Sequence, residues 1–177
     1  MKDFTNIPIP FDEIPQAEDI VLIPIEQKYL VVRLVSDIII FGLIAAGIYG
    51  LQYIDNEAPF TIKENLLLIY SVLTALALIT MIIGLLGFKY KRFAIREKDI
   101  IFQSGLIIRR KTHVPFNRVQ HVEVNQGIID RYVNLAKLKI FTAGGSRSDL
   151  SIPGLKNEDA LKMKSFILQK TEEDESI

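Results

Sequence analysis

Few residues of this chain are of the types that carry out catalytic or metal chemistry. The sequence has no cysteine and two histidines, His113 and His121. The absence of cysteine excludes disulfides, thiolate metal sites, cysteine nucleophiles and iron–sulfur clusters, and two histidines argue against a histidine-rich metal site. Both histidines fall on outward faces of predicted strands, and Glu123 beside His121 predicts a surface pair. No nucleophile–base pair is found, so we expect no enzyme, no metal and no cofactor.

A pair of glycines, Gly144-Gly145, follows a predicted strand and has the composition of a phosphate-binding loop. Such a loop needs the pattern G-x-x-x-x-G-K-[ST] and a following helix, because backbone amides and the lysine surround the phosphates. The chain has neither feature at this place. The glycine pair therefore predicts a turn.

The charged side chains are segregated along the chain, although the formal net charge is zero. Residues 89–170 contain seventeen basic and seven acidic side chains, whereas residues 1–33 and 171–177 have net charges of −3 and −4. Near an anionic membrane each basic residue contributes about 1 kcal/mol of attraction. The candidate contacts with anionic lipid are Lys89, Lys91, Arg92, Arg109, Arg110 and Lys111.

The simpler alternative is that these basic side chains form a solvated face, which orients the domain on the membrane without a defined lipid pocket. A basic domain would also suit nucleic acid. However, the sequence has no helix-turn-helix, no aromatic RNA-binding signature and no zinc pattern. We therefore expect no nucleic-acid partner.

Two long apolar segments must position this basic region. Residues 66–88 contain no charge, and residues 34–54 contain one, Asp37. As helices, residues 34–54 and 66–88 would be roughly 31 and 34 Å long, respectively. The hydrocarbon core of a bilayer is about 30 Å thick. The sequence therefore predicts a transmembrane hairpin over residues 34–88.

The flanks of the apolar segments predict the orientation of the hairpin. Basic residues precede the first segment at Lys28 and Arg33 and follow the second within residues 89–92, whereas the connecting residues 55–65 hold three acids and one lysine. Cytoplasmic flanks carry an excess of lysine and arginine. We expect a multi-pass protein with both termini in the cytoplasm.

Asp37 lies one turn inside the first segment, four residues after Arg33. This spacing predicts an ion pair at the headgroup level. The alternative is that Asp37 lines a route through the membrane, as in a subunit of a transport or lipid-handling machine. Replacing Asp37 with asparagine should leave an interaction module working and should cripple a transport component.

Small residues recur at every fourth position of the first segment, at Gly42, Ala46 and Gly50. Such a stripe lets two helix backbones approach closely in lipid. The stripe could pack on the second helix of the same chain or on another subunit of a homo-oligomer. The sequence does not choose between these partners.

The residues after the hairpin alternate between apolar and polar side chains, which is typical of half-buried strands. Ser104-Gly105 predicts a two-residue hairpin turn, and residues from Asn157 to Lys170 predict an amphipathic helix. The fold class is therefore α+β, a small antiparallel barrel or sandwich with one packed helix. The predicted strands are 93–95, 100–103, 106–114, 119–125, 138–142 and 150–152.

Four motifs in order resemble the YdbS-like bacterial pleckstrin-homology (PH) membrane proteins. The segment 114–124 is similar to that family's P-Y-x-R-I-Q-x-V-x-V pattern, and residues 131–138 and 142–145 are similar to its R…G-L-A-x-L…T-A-G-G pattern. Residues 152–155 match its I-P-G-L. The chain departs from the pattern at Asn134, where the family usually has glycine. Asparagine tolerates positive φ, so we expect the turn to be kept.

The resemblance implies a PH-like barrel with a C-terminal capping helix in the bacterial inner membrane. It also implies a larger membrane partner with repeated domains of the same kind, in an envelope complex or a membrane-stress role. We expect four parts: an N-terminal arm (1–33), the hairpin (34–88), the PH-like domain (89–170) and an acidic tail (171–177). A second group of motif residues is either a structural network or a partner patch: Pro115, Arg118, Gln120, Arg131, Gly144 and Gly145.

Overall fold

The protein consists of a helical hairpin joined to a two-sheet sandwich. In the computed structural model, residues 20–54, 65–143 and 149–175 are described. Helices α1 (Tyr29–Ile54) and α2 (Leu66–Phe88) lie side by side. Both are long and apolar enough to cross a membrane, and neither buries its apolar window inside the protein. A buried core helix of a soluble protein would be covered, so these helices require an apolar solvent.

Helix α1 begins earlier than predicted. Its first residue is Tyr29, five residues before the expected start at Leu34. The chain just before this extra turn and a half is held by the domain, because the amide of Glu26 donates to the carbonyl of Gly154 at 2.9 Å. Three of the five residues 29–33 are apolar, and the candidate membrane span of α1 itself begins at Tyr29.

Seven described strands form two antiparallel sheets. The first sheet has the order β1-β2-β3-β4 and the second has the order β5-β6-β7. The α+β fold class is confirmed as a sandwich of open sheets. The strands are β1 (Ile23–Pro24), β2 (Arg92–Ile95), β3 (Asp99–Ser104), β4 (Arg110–Pro115), β5 (Val119–Asn125), β6 (Leu135–Thr142) and β7 (Leu150–Lys156).

Two further helices complete the domain. The short α3 (Ile128–Tyr132) connects β5 to β6 and packs against α1. The C-terminal α4 (Asn157–Glu175) packs on the second sheet and on the 3-10 turn at Phe116–Arg118. Helix α4 continues through residue 175, so most of the predicted acidic tail is the last turns of this helix. Lys170, expected near the end, lies five residues before it.

The core lies between the sheets and under α4. Phe116 is fully buried, and its ring meets that of Phe166 edge to face at 6.0 Å between centroids. Alternate strand side chains enter the core, as the apolar–polar alternation of the sequence predicts. The core strand residues include Ile100, Val114, Val122, Leu138, Ile140 and Ile152, and α4 adds Ala160, Met163 and Ile167.

Of two predicted turns, one is wrong and the other is confirmed. The two-residue hairpin predicted at Ser104-Gly105 is wrong, because Ser104 pairs with Arg110 and leaves a five-residue loop, 105–109. The predicted strand 106–114 therefore begins only at Arg110. In contrast, Asn134 has φ +57° as predicted, which places this asparagine in the left-handed region.

Part of the N-terminal arm belongs to the sandwich. Strand β1 pairs with β2, and the Ile25 side chain is buried in the core. The amide of Ile25 donates to the carbonyl of Lys91 at 3.3 Å. Residues 23–24 of the arm are therefore extended. Pro8, Pro10 and Pro15 lie outside the described residues.

Candidate functional site

The candidate site is the end of the sandwich from which the two helices leave. Across the first sheet, Pro24 pairs with Arg92, Arg92 with Gln103, and Gln103 with Lys111. This row of residues is therefore level with the chain just after α2, which ends at Phe88. We call this end of the domain the membrane-proximal end.

Tyr29 joins the hairpin to the domain at this end. The Lys91 ammonium donates to the Tyr29 hydroxyl at 3.2 Å and lies 4.5 Å from the ring centroid. Gly154, which is buried with φ +68°, lies against the same residue: a Cβ placed there would be 2.8 Å from the Tyr29 Cβ. The hairpin and the sandwich are thus in direct contact, which fixes the angle between them.

The predicted lipid contacts are not equivalent. Five of the six are exposed, whereas Lys91 is half-buried and is engaged by Tyr29. Its ammonium therefore has an intramolecular partner in Tyr29. Arg109 lies over the Tyr90 ring, with its guanidinium carbon 5.2 Å from the centroid. The exposed residues are Lys89, Arg92, Arg109, Arg110 and Lys111.

The acidic residue of the first span is paired. The Arg33 Nε donates to Asp37 at 3.1 Å, as the spacing predicts, and the Arg33 side chain lies against Gly84 of α2. The serine and threonine hydroxyls of α2 donate to carbonyls of their own helix: Ser71 to Leu68, Thr74 to Tyr70 and Thr80 to Ala77. Across the described spans, these groups do not form a polar route.

A cleft of about 280 Å³ lies between α1 and the second sheet. It is lined by the Arg33–Asp37 pair and by Ile40 on α1, and by Asp130 and Lys137 on the domain. The charges of this cleft are balanced, which does not favour an anion or a cation. Asp130 also accepts a hydrogen bond from the amide of Gly127 at 3.0 Å, so it closes the start of α3.

The stripe of small residues does not pack on α2. Gly42 and Ala46 are exposed, and a Cβ added at Gly42 or at Gly50 would meet nothing within 4 Å. The intramolecular partner considered for this stripe is therefore not the one used. Helix α2 instead meets α1 near Ala45, whose carbonyl accepts a weak hydrogen bond of 3.4 Å from the Tyr70 hydroxyl.

Strand β4 has an open edge. It is the last strand of its sheet and pairs only with β3 among the described strands. The Phe116 amide donates to the Lys98 carbonyl at 2.9 Å, which continues the register of the pair. Because bonded and outward positions alternate in an antiparallel ladder, the backbone groups of Lys111 and His113 point to the open edge. Pro115, the next outward position, has no amide hydrogen to offer.

A small groove of about 210 Å³ runs beside this edge. Pro115 and Arg118 of the predicted patch line it together with Thr112, His113 and Thr142. Gln120 is exposed on β5, and Arg131 lies on α3, away from the groove lining. Gly144 and Gly145 are outside the described residues. Within the described chain, no side-chain hydrogen bond of Arg118 or Arg131 supports the structural-network alternative.

Other polar groups lie at the far end of the first sheet. Arg96 donates to Asp99 at 2.6 Å and forms a second, shorter bond to it, and these bonds lower the pKa of the Asp99 carboxyl below its usual range. On β5 of the second sheet, His121 and Glu123 form the predicted surface pair at 3.4 Å. Among residues 20–54, 65–143 and 149–175, no group of three acidic or histidine side chains could hold a metal ion.

A family model described as a bacterial PH domain matches residues 30–171, which include both helices and nearly all of the sandwich. The chain belongs to the bacterial PH domain family. The PH-like domain and its two transmembrane helices are therefore one family unit, and the recognition of a YdbS-like membrane protein is confirmed.

Two curated relatives are from Bacillus subtilis (strain 168). UPF0699 transmembrane protein YdbS is 38% identical over 45% of this chain and 48% of its own length. UPF0699 transmembrane protein YdbT is 28% identical over 46% of this chain and 17% of its own length. The chain thus matches about half of one relative and a smaller part of the other. A solved DUF1696-family protein with a PH domain from Shewanella loihica is 19% identical, with a TM-score of 0.36 over 46% of this chain and 70% of that one.

Sequence reasoning missed the β3–β4 loop and the contacts of Tyr29. The loop contains Leu106, Ile107 and Ile108, whose apolar character is typical of the start of a strand. The glycine at position 105 was a usable signal, because glycine readily adopts the positive φ that the first position of a longer loop can require, and Gly105 has φ +105°. No local signal indicates that Tyr29 meets Lys91 and Gly154.

Proposed function

We propose that this protein is a non-catalytic, membrane-anchored interaction module of the bacterial cytoplasmic membrane, with both termini in the cytoplasm. In this proposal, the PH-like domain binds a partner protein along the open edge of β4. The observation that carries it is the pair of outward-facing backbone positions, Lys111 and His113, beside a groove and at the end of a sheet. An extended segment of a partner can add to such an edge as a further strand.

The partner segment best suited to this edge is extended and acidic. Arg110 and Lys111 are exposed at the membrane-proximal part of the strand, and Arg118 lines the groove at its other end. Complementary charges would set the direction and register of an added strand. We infer that the partner is a larger membrane protein of the same family, because both chains would then be held in one membrane at a matching height.

Crosslinking in the native membrane tests this proposal. A photo-crosslinking amino acid at Lys111 should give one discrete adduct, whereas the same group at the exposed Lys162 of α4 should give at least tenfold less. Changing His113 to proline should remove the adduct, because proline lacks the outward amide hydrogen. Changing His113 to alanine keeps that amide and should keep the adduct.

Two results would contradict strand addition at β4. One is equal crosslinking from Lys111 and Lys162, and the other is an adduct that survives His113→Pro. The His113→Pro variant must also retain a folded domain, which is checked by comparing its thermal unfolding with that of His113→Ala. A lost adduct counts only if the two unfolding temperatures agree within a few degrees.

A further inference from the structure

The domain exposes four large apolar side chains at its membrane-proximal end. Ile107 and Ile108 in the β3–β4 loop are 87% and 77% exposed, and Ile128 and Tyr132 on α3 are 81% and 88% exposed. The next most exposed large apolar side chain described within residues 92–175 is Leu161, at 49%. These four side chains form two pairs, which we call the loop anchor (107–108) and the helix anchor (128 and 132).

The loop anchor lies beside the end of α2. Strand β2 leads away from that helix, and β3 returns toward it. Arg92 pairs with Gln103, so the next pair, Ser104 with Arg110, lies beyond the level of Arg92 on the side of the helix. The loop 105–109 continues in the same direction, and Arg109 reaches the Tyr90 ring. The apolar tip of the loop therefore points toward the membrane surface at which α2 ends.

The loop is also tightly folded, so its tip is held in place. Gly105 has φ +105°, and a Cβ at this position would lie 1.9 Å from the carbonyl oxygen of Ile108. The backbone of the loop is thus packed on itself, with the two isoleucine side chains turned outward. A rigid apolar tip loses little conformational freedom when it enters another phase.

The helix anchor lies beside α1 at a similar level. Helix α3 packs against α1, and its Asp130 shares a cleft with Asp37 and Ile40. Ile40 is seven residues past Arg33, which corresponds to about 10 Å further along the helix axis. Ile128 and Tyr132 are one turn apart and share a face of α3, and a tyrosine at this depth suits the membrane interface.

We propose that the PH-like domain inserts both anchors into the leaflet from which its two helices emerge. The occupant is lipid rather than protein, because each anchor lies beside a transmembrane helix and the loop anchor is followed by the basic run Arg109–Lys111. Apolar side chains enter the acyl region while the adjacent basic side chains remain with the phosphates. The loop belongs to the first sheet and α3 connects strands of the second, so each sheet would have one attachment.

This insertion fixes how the domain faces the membrane. The sandwich is already connected to the hairpin through residues 89–91 and through the contacts of Tyr29 at the start of α1. Attachments from both sheets to the leaflet would add to the resistance against tilting relative to the membrane surface. The inference needs only the membrane helices and does not depend on strand addition at β4. Failure of one proposal therefore leaves the other standing.

Depth-dependent quenching tests the insertion with the full chain in vesicles. The vesicles contain phosphatidylethanolamine and phosphatidylglycerol, with a nitroxide on the upper part of the acyl chain. A fluorophore is attached to a single cysteine at Ile108, Tyr132 or Lys162, since the native chain has no cysteine. We expect quenching at 108 and 132 to exceed that at 162 at least threefold.

Matched variants separate insertion from mere proximity. With the probe at 108, Ile107→Glu should reduce quenching to the level at 162, because a carboxylate is costly in hydrocarbon. Ile107→Leu should leave it unchanged. Quenching at 108 and 132 should also persist in 0.5 M salt, where the electrostatic screening length is about threefold shorter than in 0.05 M salt.

Three outcomes would overturn the proposal. The first is quenching at 108 and 132 that is no greater than at 162. The second is quenching that salt abolishes, because basic side chains alone would then hold the loop. The third is a fluorescence blue shift at either anchor without lipid quenching, since a protein surface would then cover that anchor.

Discussion

Replacing Gly154 with alanine is expected to destabilise the junction between the hairpin and the domain by several kcal/mol. A non-glycine residue in the left-handed region costs about 1–2 kcal/mol, and Gly154 has φ +68°. The added Cβ would also lie 2.8 Å from the Cβ of Tyr29, at the start of α1. Overpacking of this kind costs about 1–3 kcal/mol more. Because a Cβ is fixed to the backbone, α1 itself would have to move.

Two quantities are measured on the full chain in detergent: the thermal unfolding temperature and the hydrogen-exchange protection of the Glu26 amide. The amide of Glu26 donates to the Gly154 carbonyl, so its protection reports on the junction directly. Gly42→Ala is the matched control, because nothing lies within 4 Å of a Cβ at Gly42. An equal unfolding temperature and equal protection for Gly154→Ala and the native chain would contradict this account of the junction.

Truncating Phe116 to alanine should have the largest effect on the domain. Its ring is fully buried between the sheets and α4, and it meets Phe166 edge to face. Replacement of a buried phenylalanine with alanine costs about 3–5 kcal/mol. This is a large part of the free energy of unfolding of a domain, which is roughly 5–15 kcal/mol. We therefore expect a loss of that size in the free energy of unfolding.

Denaturant unfolding of the purified full chain measures this loss. Leu161→Ala on α4 is the control, because Leu161 is 49% exposed and should cost less than about 1 kcal/mol. Phe116→Leu should fall between the two, since it keeps part of the buried volume. If Phe116→Ala and Leu161→Ala lost similar free energy, the position of the core described above would be wrong.

The sequence was sufficient for those features that depend on local pattern. The alternation around Val122 and around Leu138 and Ile140 predicted their burial, because one face of each strand meets the core. The left-handed turn at Asn134 followed from the side-chain chemistry of asparagine. The two membrane helices followed from length and lack of charge.

The features that depend on contacts between distant residues could not be predicted in this way. Leu106–Ile108 form a short apolar run just before β4, so the loop resembled the start of a strand until its pairing with β3 was known. Lys91 resembled the other basic residues, but Tyr29 lies 62 positions away and engages its ammonium. The small-residue stripe was visible, whereas which helix face meets α2 depends on packing along the whole hairpin.

The candidate site was predicted only in part for the same reason. The exposed basic residues could be named from the sequence, since charge and solvent exposure usually go together. The open edge at Lys111 and His113 could not, because an edge is defined by the strand that is absent beside it. Likewise, the exposure of Ile128 and Tyr132 depends on how α3 packs against α1.

The most direct test of the account is the side of the membrane on which the PH-like domain lies. Single cysteines at Lys162, on α4, and at Glu57, between the two apolar segments, can be labelled in whole cells with a membrane-impermeant maleimide. The account predicts that the cysteine at 57 reacts in intact cells and the cysteine at 162 reacts only after the membrane is opened. Labelling at 162 in intact cells, with protection at 57, would contradict a cytoplasmic domain and the functions proposed for it.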